Sequence, residues 1–270
     1  MALSASRATI PHKNKADTPL IVLGNGPSLR RNLTDDLHFL THNPCMAVNF
    51  FANSPEFAVI KPKYYVLADP HFFENAESDS NVAKLVENIR RADWDMDLFV
   101  PAKAYRKAKI LFRDSRVRLY KFNFLAVEGF RWLENLAWKM NLGMPRPRNV
   151  LVPALMTGIA SGFRRIYLLG ADHSWLSTLA VTDDNRIVSI QPHFYTEDKG
   201  EKARVQSVYS GIRLHEVLES MTIAFRSYHS IERYARRRGT VILNVTPGSM
   251  IDAFERADFS GLTKSSHQNV

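Results

Sequence analysis

Short apolar runs alternating with helix-length amphipathic stretches restrict this chain more than any other feature. Pro19 to Leu23 (PLIVL) is continuously apolar and closes on Gly24-Asn25-Gly26-Pro27, as a strand buried on both faces does when it enters a tight turn. Runs of the same kind follow at Cys45 to Phe50, Tyr64 to Ala68, Leu98 to Pro101, Arg118 to Tyr120, Arg165 to Gly170 and Thr240 to Val245. Between them, Asn81 to Ala92, Gly129 to Met140 and Val150 to Gly162 read as helices, the last ending on a glycine suited to a C-cap. Strands buried on both faces need helices above and below them. The rhythm therefore predicts an α/β fold with a Rossmann-like, mostly parallel sheet flanked by helices.

Two segments break that rhythm. VTDDNRIVSI, within 176–191, reads as a hairpin turning at Asp183-Asp184-Asn185; an insertion of about 176–198 after a strand's C-terminal end is the place for a lid. Glu201 to Arg237 then sets Val205, Val208, Ile212, Val217, Met221, Ala224, Tyr228, Ile231 and Tyr234 close to the helical period, predicting one long amphipathic helix in the C-terminal half. Its end, Arg236-Arg237-Arg238-Gly239, matches cations to the negative end of the helix dipole. Residues 1–18 read as a flexible polar start, 19–260 as a single catalytic domain with the lid, and 261–270 as a polar tail. The aromatic pairs Phe50-Phe51, Phe72-Phe73 and Trp132/Trp138 read as core.

Composition narrows the class. At 270 residues, 45% hydrophobic and 23% charged, the chain can bury a sizeable core as one enlarged domain. It has neither the apolar stretch of a signal peptide near its start nor a run of ~20 apolar residues, so a cytoplasmic location is expected. The single cysteine, Cys45, excludes an internal disulfide, agrees with a reducing compartment and, without a Cys/His cluster at zinc spacing, gives no structural metal site. A formal charge of +9 admits three partners: nucleic acid, an anionic membrane surface or a phosphorylated small molecule. Scattered arginines without a nucleic-acid-binding signature weigh against the first. Arg236, Arg237 and Arg238 are either a solvated helix end or a point of peripheral attachment to the inner face of a membrane. Oligomeric state is left open.

Chemistry concentrates at the strand ends. In Gly24-Asn25-Gly26-Pro27-Ser28-Leu29 two glycines allow close backbone approach, while Asn25 and Ser28 offer donors and acceptors at the edge where open α/β sheets bind ligands. The turn lacks the Gly-Lys-Ser/Thr of a Walker A loop and the third glycine of a dinucleotide fingerprint. Asp69-Pro70-His71 and Asp172-His173 each put a carboxylate beside an imidazole. They read as metal or ribose contacts, as an acid/base pair, or as turn and cap residues.

GNGPSL after the first strand, Asn49 closing the second, Asp69 closing the third and GFRRIYLLGADHSW later in the chain resemble a Rossmann-like group with two members. One is the bacterial sialyltransferase family that uses CMP-sialic acid; the other is the MptE-like hydroxymethylpterin diphosphokinase group. The first resemblance implies a nucleotide-sugar-dependent glycosyltransferase of surface polysaccharide biosynthesis, with a saccharide acceptor and no tightly bound cofactor. It implies that Gly24, Asn25, Gly26, Ser28, Asn49 and Asp69 bind the nucleotide-activated donor, that His193 is the general base, and that Asp172 lies in the catalytic centre. Trp175, Tyr195 and Arg148 then serve the donor, its phosphate or the lid. The family's two phosphate-binding tyrosines have no counterpart in Asp172-His173-Ser174-Trp175, which leaves Tyr195, Arg186 or Lys199 to replace them and Arg146 or Arg148 for the sugar carboxylate. The second resemblance implies an ATP- and Mg²⁺-dependent diphosphokinase in which Asp69 and Asp172 hold the metal. The missing tyrosines also admit a non-catalytic nucleotide-binding relative.

Overall fold

The computed structural model describes residues 8–11, 18–188 and 211–262. Each predicted apolar run contains a strand or lies within one: β1 (Leu20–Leu23), β2 (Cys45–Val48), β3 (Tyr64–Val66), β4 (Met96–Pro101), β5 (Val117–Phe122), β6 (Arg165–Leu169) and, beyond a small hairpin of β7 (Ala180–Val181) and β8 (Ile187–Val188), β9 (Val241–Asn244). A two-residue strand that the sequence did not signal, β10 (Glu255–Arg256), completes an eight-stranded sheet in the order β10-β9-β6-β1-β2-β3-β4-β5. Every pairing in that sheet is parallel. The α/β, Rossmann-like expectation thus holds.

Helices cover both faces. On one lie α1 (Leu29–Asp35), α2 (Leu37–His42), α3 (Glu56–Ile60), α4 (His71–Glu74), α5 (Ser80–Arg90) and α6 (Tyr105–Leu111); on the other lie α7 (Arg131–Lys139), α8 (Leu151–Ala160) and α9 (Leu214–Arg237). The period of two along each strand feeds both layers. Ile21, Leu23, Tyr65 and Leu98 pack under the first set, whereas Leu20, Val22, Tyr64 and Phe99 pack under the second. Each such side chain contributes about 1.5–3 kcal/mol by leaving water, and for that reason these strands read as unbroken apolar runs.

Two expectations need correction. The long helix begins at Leu214 rather than Glu201: Gly211 turns the chain with φ +84°, and Arg213 is extended with its N–H donated to the Glu216 carboxylate at 2.7 Å. Glutamate three residues past the cap closes that end, and Val205 and Val208 lie outside the described residues. Trp132 is not core. It stands six residues from Trp138, about 120° around the helix, and is 68% exposed while Trp138 is buried. Residues 8–11 run beside β5, where the Thr9 N–H donates to the Lys121 carbonyl and the Lys121 N–H to Thr9 Oγ1. Among the described residues no helix is long and apolar enough to cross a membrane.

Strand order locates the crevice. The chain runs outward from β1 to β5, then returns to place β6 on the other side of β1. At that reversal the loops following β1 and β6 leave in opposite directions, and open sheets bind ligands in the gap between them.

Candidate active-site crevice

The loops after β1 and β6 are sewn together before they part. Gly24 N–H donates to the Leu169 carbonyl and Gly26 N–H to the Gly170 carbonyl, both at 2.8 Å. The approach is so close that a Cβ on Gly24 would stand 2.4 Å from the Gly170 oxygen, and one on Gly26 would stand 2.0 Å from Asp172 Oδ2. Gly170 itself turns with φ +62°, a conformation that favours glycine. At both glycines the missing Cβ makes room for the β6 loop: its backbone at Gly24, and the Asp172 carboxylate with the Gly170 carbonyl at Gly26.

Asp172 closes this seam. Its Oδ1 accepts the Ser28 N–H at 3.1 Å and its Oδ2 accepts the Ser28 hydroxyl at 2.8 Å. A carboxylate of the chain thus occupies the start of α1, where exposed N–H groups favour an anion. Both polar groups of Ser28 are engaged there. Asp172 is held in turn, because its own carbonyl accepts the Met250 N–H at 2.9 Å. Around it, Thr246 Oγ1 accepts the Ala171 N–H at 3.1 Å and the Ser249 hydroxyl donates to the Ala171 carbonyl at 2.6 Å. Thr246 and Ser249 lie in the loop after β9; their sequence signal is the turn-forming Thr246-Pro247-Gly248-Ser249, which sequence reasoning passed over. As a cap in trans, Asp172 is worth about 1–2 kcal/mol. Asp172→Ala is expected to lower the urea-unfolding free energy by that amount, with Asp172→Asn losing less. An unchanged midpoint in Asp172→Ala would contradict the strut.

On the β2 side, Asn25 reaches over to donate its Nδ2 to the Val48 carbonyl at 3.1 Å. The next residue, Asn49, adopts φ +49°, a left-handed conformation that asparagine tolerates. Tyr65 fixes that turn: its hydroxyl donates to the Asn49 carbonyl at 2.6 Å and accepts the Ala52 N–H at 2.8 Å. The Asn49 side-chain oxygen is buried and meets no donor. Buried acceptors are rarely left so, since desolvation without a partner costs about 1–3 kcal/mol.

On the β6 side, His173 is also left-handed, with φ +52°. Its Nε2 lies 2.7 Å from the Tyr228 hydroxyl, which lies 2.9 Å from Asn149 Oδ1. Asn149 Oδ1 also accepts the Leu151 N–H at 3.0 Å, which identifies it as the oxygen. Tyr228 therefore donates to Asn149 and accepts from His173 Nε2–H, leaving the lone pair on Nδ1. Burial pushes the His173 pKa down to about 4, so the ring is neutral at physiological pH. Trp175 stands 5.1 Å from the His173 ring and 5.9 Å from Phe225. It packs with Ile187 of the hairpin and Val217 and Met221 of α9, tying the insertion to the helix.

Gly24, Asn25, Gly26, Ser28, Asn49 and Asp172 therefore converge on the ends of β1, β2 and β6, with Trp175 at one margin. Arg148 is exposed just before Asn149 at the start of α8, while Arg146 is paired with Glu128 at 2.7 Å. Asp69 stands apart. It follows β3, three strands from β6 and about 14 Å away at ladder spacing, and its Oδ1 accepts the His71 N–H at 2.9 Å. His71 pairs with Asp79 at 2.9 Å rather than with Asp69. The two aspartates expected to share a metal in a diphosphokinase are thus not brought together. Among the described residues no group of three or more His, Cys, Asp or Glu could hold a metal ion. His193, Tyr195 and Lys199 lie outside the described residues.

No family model matches the chain, and no curated protein sequence does. Among solved structures, a MAf glycosyltransferase from Magnetospirillum magneticum AMB-1 shares the fold over 93% of this chain, with a TM-score of 0.53 and 12% identity. This chain spans 35% of the length of that one. At such identity the likeness concerns the fold.

Proposed function

We propose that the chain is a nucleotide-sugar-dependent glycosyltransferase of the sialyltransferase-like kind, using a CMP-linked donor in surface polysaccharide assembly. The observation that carries the reading is the orphaned Asn49 oxygen at the ligand-binding edge, beside Asn25. A ribose hydroxyl or an exocyclic base amine would supply the missing donor. The glycosyltransferase that shares the fold agrees with this reading. Arg148 on the α8 rim is the cation assigned to the donor's phosphate, because Ser28 is engaged by Asp172. In the reaction His193 takes the acceptor hydroxyl's proton as its oxygen bonds to the anomeric carbon, and the bond from that carbon to the phosphate oxygen breaks to release CMP. The hairpin insertion, anchored through Trp175, is assigned to covering the donor.

Nucleotide thermal shifts test this directly. Saturating CMP without added metal is expected to raise the Tm by about 5 °C. Asn49→Gly keeps the left-handed backbone and removes the amide, so it should retain the unliganded Tm and lose most of the shift. Stabilisation only by ATP with Mg²⁺ would replace this reading with the diphosphokinase, and no response to any nucleotide would remove it.

A further inference from the structure

Half of the large apolar side chains exposed among the described residues, eight of sixteen, lie between positions 124 and 142. Helix α7 explains the concentration. Ala137 and Trp138 bury one face, with the Trp138 ring packed edge-on against Tyr234 of α9 at 5.5 Å. At 100° per residue, Trp132, Leu133, Leu136 and Met140 fall within about 100° of arc on a different face. All four are exposed, as is Phe130 at 75%. The flanking segments add exposed Phe124, Leu125 and Leu142 near the helix's C-terminal end, where Asn123 donates to the Asn141 carbonyl and Met144 N–H to the Leu125 carbonyl. An amphipathic helix needs one apolar face to join a core; this one has a second.

Cations border it. Arg131 and Lys139 are on α7 itself, and across a groove of about 390 Å³ between α7 and α9 stand Arg226 and Arg233, with Arg237 one turn further. None of these five makes an ion pair among the described residues. The opposing charges in the groove are Glu128, already paired with Arg146, and Glu134, which accepts the Gly129 N–H. Trp138, which lines the groove, has a buried indole N–H that meets no acceptor. Of the three arginines at the end of α9, only Arg237 lines this region; Arg236 is paired with Glu232.

We propose that α7 docks this protein on an anionic phospholipid surface, with Trp132, Leu136 and Met140 entering the interface and the arginine-lined groove taking a head-group phosphate. Charge decides for lipid over a second copy, because two such faces would bring together ten cations that no described residue pairs. Aromatic and aliphatic residues beside arginines are what an interfacial helix requires, and each cation near an anionic membrane adds about 1 kcal/mol.

Sedimentation with vesicles of phosphatidylcholine, with and without phosphatidylglycerol, tests the proposal on the full chain. Binding should require phosphatidylglycerol. It should fall at least tenfold in the double variant Trp132→Ser/Leu136→Ser and about 30-fold in Arg226→Gln/Arg233→Gln, with unchanged thermal unfolding in both because the sites are exposed. Equal binding to both vesicles, or binding that neither variant weakens, would overturn it. So would a dimer in solution that Trp132→Ser/Leu136→Ser dissociates while vesicles capture nothing.

Discussion

Replacing Gly24 by alanine is expected to destabilise the fold by about 3 kcal/mol or more and to lower the Tm by about 10 °C. The new Cβ would sit 2.4 Å from the Gly170 oxygen, 2.8 Å from its carbonyl carbon and 3.1 Å from the Leu169 oxygen. All three atoms are backbone at the end of a central strand, so no side chain can swing aside. Relief requires the β1 and β6 loops to separate, which also breaks the hydrogen bonds from Gly24 and Gly26. Asn25 and Ser28 would move with the loop, and the proposed nucleotide binding should disappear with the stability. Gly239→Ala is the control: that glycine has φ +70° but nothing within 4 Å of an added Cβ, so only backbone strain of about 1–2 kcal/mol applies. Thermal or urea unfolding of the two variants decides. A Gly24→Ala protein no less stable than Gly239→Ala would mean that the loops are not locked.

The frame was legible because burial on both faces leaves a signature in each strand separately: Leu20 to Leu23 or Arg165 to Leu169 needs no partner to be recognised. Helices α1 to α4 and α6, four to seven residues long, are too short to complete two turns of a period and left none. The site divides along the same line. Gly24, Asn25 and Asn49 announce themselves through local turn chemistry, whereas the Ser28–Asp172 bond joins residues 144 apart and depends on β6 lying next to β1. Nothing in either segment states that adjacency. Tyr228 was visible only as one apolar position of an amphipathic helix; its partnership with His173, across 55 residues, exists because α9 packs over β6. The same packing consumes one face of α7 and leaves Trp132 outside, although Trp132 and Trp138 look alike in the sequence.

His173 turns that packing into a pH dependence. Burial among Trp175, Phe225 and Tyr228 holds its pKa at about 4, against 6.5 for the free side chain. The neighbouring Asp172 carboxylate is turned to Ser28, to which both its oxygens are bonded. Between these two values the unfolded chain binds a proton that the folded chain refuses, so stability is fully present above pH 6.5 and is lost as the pH falls towards 4. The difference is worth about 3 kcal/mol. The upper part of this window, from pH 6.5 to about 5.5, lies above the range in which ordinary carboxylates titrate, which allows the two effects to be separated. Urea midpoints measured from pH 7.5 to 4.5 should fall steeply in the natural protein. They should be much flatter in His173→Asn, whose side chain accepts the left-handed backbone and does not titrate. At pH 7.5 the variant should be the weaker protein, because the Tyr228 hydroxyl and the aromatic contacts are then lost without compensation. Parallel slopes in the two proteins would show that His173 is solvated rather than enclosed. A steep slope confined to the natural protein would tie proton uptake to release of α9 from the end of β6, and ligand affinity should decline over the same interval.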